Sequence, residues 1–109
     1  MNHNKIKIEY TEDFKNDLYE VIDYIKYKLK NVNAANALLS EVKSEIEKRS
    51  YSPDSYKTLK INNKFNDKFY SIKIRNFYIL YTVNKIKNVK IMLIQNFIYA
   101  KRNFISALN

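Results

Sequence analysis

"FYSIKIRNFYILYTVNKIKNVKIMLIQNFIY", residues 69–99, decides the fold. Isoleucine, valine, tyrosine and phenylalanine dominate it, and these side chains suit a pleated, half-buried surface. Short breaks divide the stretch at Arg75-Asn76 and from Asn84 to Asn88. The three runs left, FYSIKI (69–74), FYILYTV (77–83) and NVKIMLIQNFIY (88–99), read as consecutive strands of an antiparallel meander. The last run exceeds an ordinary strand, which predicts a bulge near Gln95-Asn96. KTLKI (57–61) reads as a further strand or its lead-in, and NFISALN (103–109) as a closing helical turn.

Upstream the pattern changes. KIKIEY (5–10) alternates with period two and predicts a half-buried strand. Thr11 then suits an N-cap, with Glu12 and Asp13 matching the helix dipole. Phe14, Leu18, Val21, Ile22, Ile25 and Leu29 recur at spacings of three and four, which predicts one apolar stripe on a helix ending near Asn31. Asn33 is the expected cap of a second helix with Ala34, Ala35, Leu38, Leu39, Val42 and Ile46 as its stripe. It fades between Ser50 and Pro53. So short a link demands an antiparallel helical hairpin. The order β-α-α-β-β-β predicts an α+β fold, with the hairpin packed on one face of an antiparallel sheet and the other face partly solvated.

A chain of 109 residues makes one domain with a two-layer core. It has no cysteine, which excludes disulfides and thiolate metal sites and fits a reducing compartment. Its polar start does not resemble a signal peptide, and no apolar run approaches the roughly 20 residues that span a bilayer. The expectation is a cytoplasmic protein without membrane contact. Glycine is absent, so phosphate loops, dinucleotide fingerprints and nucleophile elbows are excluded. Turns with positive φ are expected to use Asn and Asp instead.

Charge is segregated. Residues 11–50 hold seven Lys/Arg against eight Asp/Glu, whereas residues 55–109 hold eleven against the single Asp67. A one-sided basic field attracts phosphate backbones or acidic proteins. The only histidine is His3, expected at a frayed end, which excludes a mechanism that needs a well-placed imidazole. With acids so scarce, paired-carboxylate catalysis and carboxylate metal sites are not expected in the basic half, nor is any cofactor. The candidates left are Lys60, Tyr70, Lys73, Arg75, Tyr78, Tyr99, Lys101 and Arg102. If RNA is cut here, the 2′-OH attacks the neighbouring phosphate. Arg and Lys stabilise the phosphorane, a Lys or Tyr of lowered pKa accepts the proton, and aromatics stack on bases. The same tyrosines are also ordinary strand formers, and strand lysines protect exposed edges.

Four segments together resemble the RelE/ParE superfamily of toxins from bacterial type II toxin–antitoxin systems. They are YTEDFKNDLYEVIDYIKYKL (10–29), NAANALLSEVKSEIEKRSYSPD (33–54), FYSIKIRNFYILYTV (69–83) and VKIMLIQNFIYAKRN (89–103). The resemblance implies a cognate acidic antitoxin that wraps the toxin in a hetero-oligomer. It implies one of two targets: the ribosome, where RelE-like members cut mRNA without a metal, or DNA gyrase, which ParE-like members inhibit. For a cutting site it implies Lys73 and Arg102 as matching basic positions; Tyr99 or Tyr78 is the candidate substitute for the family's C-terminal tyrosine. Lys60, Tyr70, Arg75, Tyr78 and Lys101 would bind substrate. Ser71, Tyr78 and Leu108 stand where cutting members carry Lys, Arg and Tyr.

Overall fold

A computed structural model describes residues 5–59 and 68–101. Lys60, Arg102, the end of KTLKI and the expected turn in NFISALN lie outside the described residues. The elements follow the expected order: β1 (Lys5–Tyr10), α1 (Glu12–Asp23), a π-helical turn (Tyr24–Lys28), α2 (Val32–Ser50), β2 (Tyr70–Ile74), β3 (Phe77–Ile86) and β4 (Val89–Tyr99). The fold is α+β, with two helices against one four-stranded sheet of order β1-β4-β3-β2.

The meander β2-β3-β4 is antiparallel, but β1 lies parallel to β4, from Lys5 opposite Val89 to Tyr10 opposite Ile94. The sheet is therefore mixed, not wholly antiparallel as expected. Parallel neighbours need a long connection, and the helical hairpin with the first two meander strands supplies it.

The core forms where the helix stripes meet the sheet. Phe14, Leu18 and Ile22 of α1 and Ala35, Leu38, Val42 and Ile46 of α2 pack with Ile72, Ile74, Ile79, Tyr81, Met92, Ile94 and Phe97. Leu29 falls outside it and is exposed, because the π-helical turn, closed by Leu29 N–H donating to the Tyr24 carbonyl, rotates the stripe. On the other sheet face Phe69, Leu80 and Ile98 form a small second cluster against Leu59 and Tyr78.

Thr11 caps α1 as expected: its Oγ1 accepts from Phe14 N–H at 3.0 Å. The same hydroxyl donates to the Gln95 carbonyl at 2.8 Å. That carbonyl sits at the bulge of β4, where pairing jumps from Leu80–Asn96 to Tyr81–Ile94. Gln95 Nε2 also donates to Thr82 Oγ1 at 2.9 Å. The bulge shifts the alternation by one residue, so Met92, Ile94 and Phe97 all reach the helix side.

Asn31, not Asn33, caps α2, its Oδ1 accepting from Ala34 N–H at 3.0 Å. Positive φ falls not on asparagines but on Lys30 (53°), Arg75 (53°) and Lys87 (56°), each directly before one. Both hairpins have two-residue loops, Arg75-Asn76 and Lys87-Asn88; the second is shorter than the expected break from Asn84 to Asn88, because Asn84, Lys85 and Ile86 stay paired with β4. Positive φ at the first loop position alone matches the type II′ pattern, whose twist suits a hairpin and whose usual occupant is glycine. Lys30→Gly is expected to stabilise the protein by about 0.5 kcal/mol, the relief of left-handed strain being partly offset by unfolded-chain entropy. Urea unfolding measures this as a higher midpoint at unchanged slope.

Candidate functional site

The β2-β3 hairpin and the exit of β4 meet at one end of the sheet. Ile74 pairs with Phe77, Phe77 pairs with Tyr99, and Ala100 N–H donates to the Asn76 carbonyl. Backbone pairing therefore draws the Arg75 turn and Lys101 together, although they are far apart in sequence. Arg75 Nε donates to Glu41 Oε1 at 2.8 Å, tying the turn to α2. This ion pair is half-exposed on both sides and contributes at most about 1 kcal/mol. Lys101 is exposed.

The sheet separates the other candidates. Lys73 alternates with the buried Ile72 and Ile74, so it stands on the face away from the helices. Its Nζ lies 5.9 Å from the ring centre of Tyr78, its cross-strand partner. Tyr78 packs on the Phe69–Leu80–Ile98 cluster. Tyr99 faces the helix side, its ring 5.6 Å from Phe77, and is 41% exposed. Tyr70 is buried on the helix side and stacks on Tyr81 at 5.2 Å. Lys73 and Tyr78 thus share one face, Tyr99 and Tyr70 the other, with Arg75 and Lys101 at the rim.

The sequence offered no signal for Arg49. Its Nη1 donates to Tyr81 Oη at 2.8 Å and to the Ser71 carbonyl at 3.1 Å. Its guanidinium carbon lies 3.7 Å from the centre of the Tyr56 ring. Tyr81 Oη in turn donates to the Pro53 carbonyl at 2.7 Å. One cation joins the end of α2, the segment after it, β2 and β3. Burial pushes the Tyr81 phenol above its ordinary range, and Arg49 beside it pulls the other way. Burial raises Tyr10 as well.

A third feature lies between the helices. A groove of about 240 Å³ is lined by Tyr10, Phe14, Leu18, Tyr19, Leu39, Val42 and Ile46, with Lys15 and Lys43 also on its wall. It is largely apolar and open on one side. Among the described residues no cluster of three or more His, Cys, Asp or Glu could hold a metal ion, and no helix is long and apolar enough to cross a membrane.

The family model described as the ParE toxin of type II toxin–antitoxin system, parDE, matches residues 8–104. No curated protein is similar enough to stand beside that match.

Proposed function

We propose a target for this chain, which belongs to the ParE toxin family of type II toxin–antitoxin systems: it arrests translation by cutting mRNA at the ribosome. Membership of the family implies a cognate antitoxin as partner. The observation that carries the choice of target is the exposed Lys73 beside Tyr78, on the same sheet end as Arg75 and Lys101. An unpaired base can stack on the tyrosine while the lysine meets its phosphate.

In the reaction the 2′-oxygen attacks phosphorus and gives its proton to water, while the bond to the 5′-oxygen breaks and that oxygen takes a proton from water as it leaves. Lys73 and Arg102, the residue after Lys101, stabilise the negative charge that builds on the phosphoryl oxygens. Tyr78, Arg75 and Lys101 hold the strand. Tyr99, on the opposite side of the sheet, serves the rim rather than the phosphate that Lys73 meets. The apolar groove between α1 and α2 suits a helix of the antitoxin, and acidic antitoxin segments suit the basic half. Toxin and antitoxin then form a hetero-oligomer in the cytoplasm.

A second reading, inhibition of DNA gyrase through a protein surface, draws support from the opposed directions of Lys73 and Tyr99. Residues facing apart fit a binding rim better than one catalytic centre. Pulse labelling after induction of this chain alone separates the two. The expected result is that protein synthesis stops within minutes while DNA synthesis continues. DNA synthesis stopping first, with translation intact, would replace the ribosome by gyrase.

A further inference from the structure

We infer that the β3-β4 hairpin, at the sheet end opposite Lys101, is a second cationic site that grips the phosphate backbone of a nucleic acid. Lys85 of β3 lies directly opposite Lys90 of β4, and Lys87 occupies the turn between them. Like charges facing each other across strands destabilise a sheet. A lysine at positive φ is a further local penalty, since glycine or asparagine fits that position better. Ile86 is exposed beside it. Three unfavourable choices at one hairpin contradict local stability, and such contradictions gather where a function requires them.

The charge there is little compensated. Residues 68–101 contain seven Lys/Arg and no acid. Among the described residues one carboxylate reaches the hairpin, that of Asp54, which accepts from Lys90 Nζ at 3.1 Å. Lys85 and Lys87 are exposed. Edge protection accounts for lone strand lysines but not for two placed face to face.

The chemistry favours a nucleic acid over a protein. A protein-binding centre is usually built on aromatic or arginine anchors, and residues 84–90 have neither. Without an aromatic ring there is nothing for bases to stack on, so the backbone is what is recognised. Lysines are strongly hydrated point charges suited to phosphates. The ten residues of β3 put this site about 30 Å from the Lys101 end. It therefore contacts a different part of the polynucleotide from the candidate cutting residues. The inference holds whether the cellular target is the ribosome, which contains RNA, or gyrase, which is a protein that acts on bound DNA.

Fluorescence anisotropy across a salt series tests it, using the purified chain with a labelled single-stranded RNA oligomer and, separately, a labelled DNA duplex. The test variant is Lys85→Gln with Lys87→Asn, because asparagine tolerates positive φ. Losing two phosphate contacts is expected to flatten the slope of log K against log salt by about 1.4 for RNA or about 1.8 for duplex DNA. Loss of the Lys–Lys repulsion is expected to raise the melting temperature by about 2 °C. Lys85→Gln alone leaves the turn unaltered and gives half the slope change. A change on RNA alone assigns the site to RNA, and a change on the duplex alone assigns it to DNA. Unchanged slopes on both, or no binding of either by the unaltered chain, overturn the inference.

Discussion

Tyr81→Ala is expected to lower stability by about 4 kcal/mol, and Tyr81→Phe by about 1 kcal/mol. Tyr81 is fully buried in the middle of β3, stacked on Tyr70, and its hydroxyl connects Arg49 to the Pro53 carbonyl. Alanine removes the ring and leaves a cavity as well as both hydrogen bonds. Phenylalanine keeps the packing and strands the Pro53 carbonyl, while Arg49 keeps its bond to Ser71. Against a total of about 5–15 kcal/mol for a domain, the alanine variant is close to unfolding. Equilibrium unfolding in urea ranks the three proteins; a phenylalanine variant as stable as the parent would mean that the hydroxyl network adds nothing. The same group sets an alkaline limit. Burial holds the Tyr81 phenol above the usual 10, so the folded state keeps a proton that the unfolded chain loses. Its contribution is complete below pH 10 and declines as pH rises through the raised folded value. Tyr81→Phe removes that part of the decline, while Tyr10, also raised by burial, retains its own.

On the proposed mRNA-cutting reading, Lys73→Ala and Arg102→Ala are each expected to slow cleavage about 100-fold, the scale of losing one group that stabilises charge in a transition state. Lys73 is exposed and its backbone pairing does not depend on the side chain, so its variant should melt with the parent. Antitoxin affinity should also survive if the antitoxin helix lies in the α1–α2 groove. Mapping cuts in cellular mRNA, with growth curves and antitoxin titration, reads all three properties. Full toxicity in both variants would remove the sheet end from consideration as the cutting site.

Local patterns carried most of the architecture. Period two in KIKIEY, the spaced stripes from Phe14 and Ala34, and the break at Arg75-Asn76 each record one element packing on another, whereas the break expected from Asn84 narrows to Lys87-Asn88. The bulge was legible because β4 is too long to stay in register. The parallel pairing of β1 was not, because alternation in a strand says which face is buried but not which neighbour it joins. The positions of positive φ were missed for a related reason: asparagine tolerates the left-handed region, but the hairpin twist demanded it one residue earlier, at Arg75 and Lys87. At the candidate site, residue type pointed to a basic, aromatic sheet end, and pairing brings Arg75 and Lys101 to it. Which candidates share a face depends on register. That alone separates Lys73 from Tyr99 and takes Tyr70 into the core. Arg49 reaches partners 22 and 32 residues away, a range at which neither spacing nor composition gives a sign.

β4 is an inner strand, held between β3 and the first strand of the chain. The chain is made from its N-terminus, so β1 must wait, unpaired, until the last strand exists. Until then the helical hairpin has no finished sheet to cover, and its apolar stripes stay open to whatever is near. Pairing between the two ends of a chain is slow to form. The finished fold therefore appears only after the last strand has been made. If the antitoxin binds the α1–α2 groove as proposed, that interval is when it reaches the helices before the sheet closes beneath them.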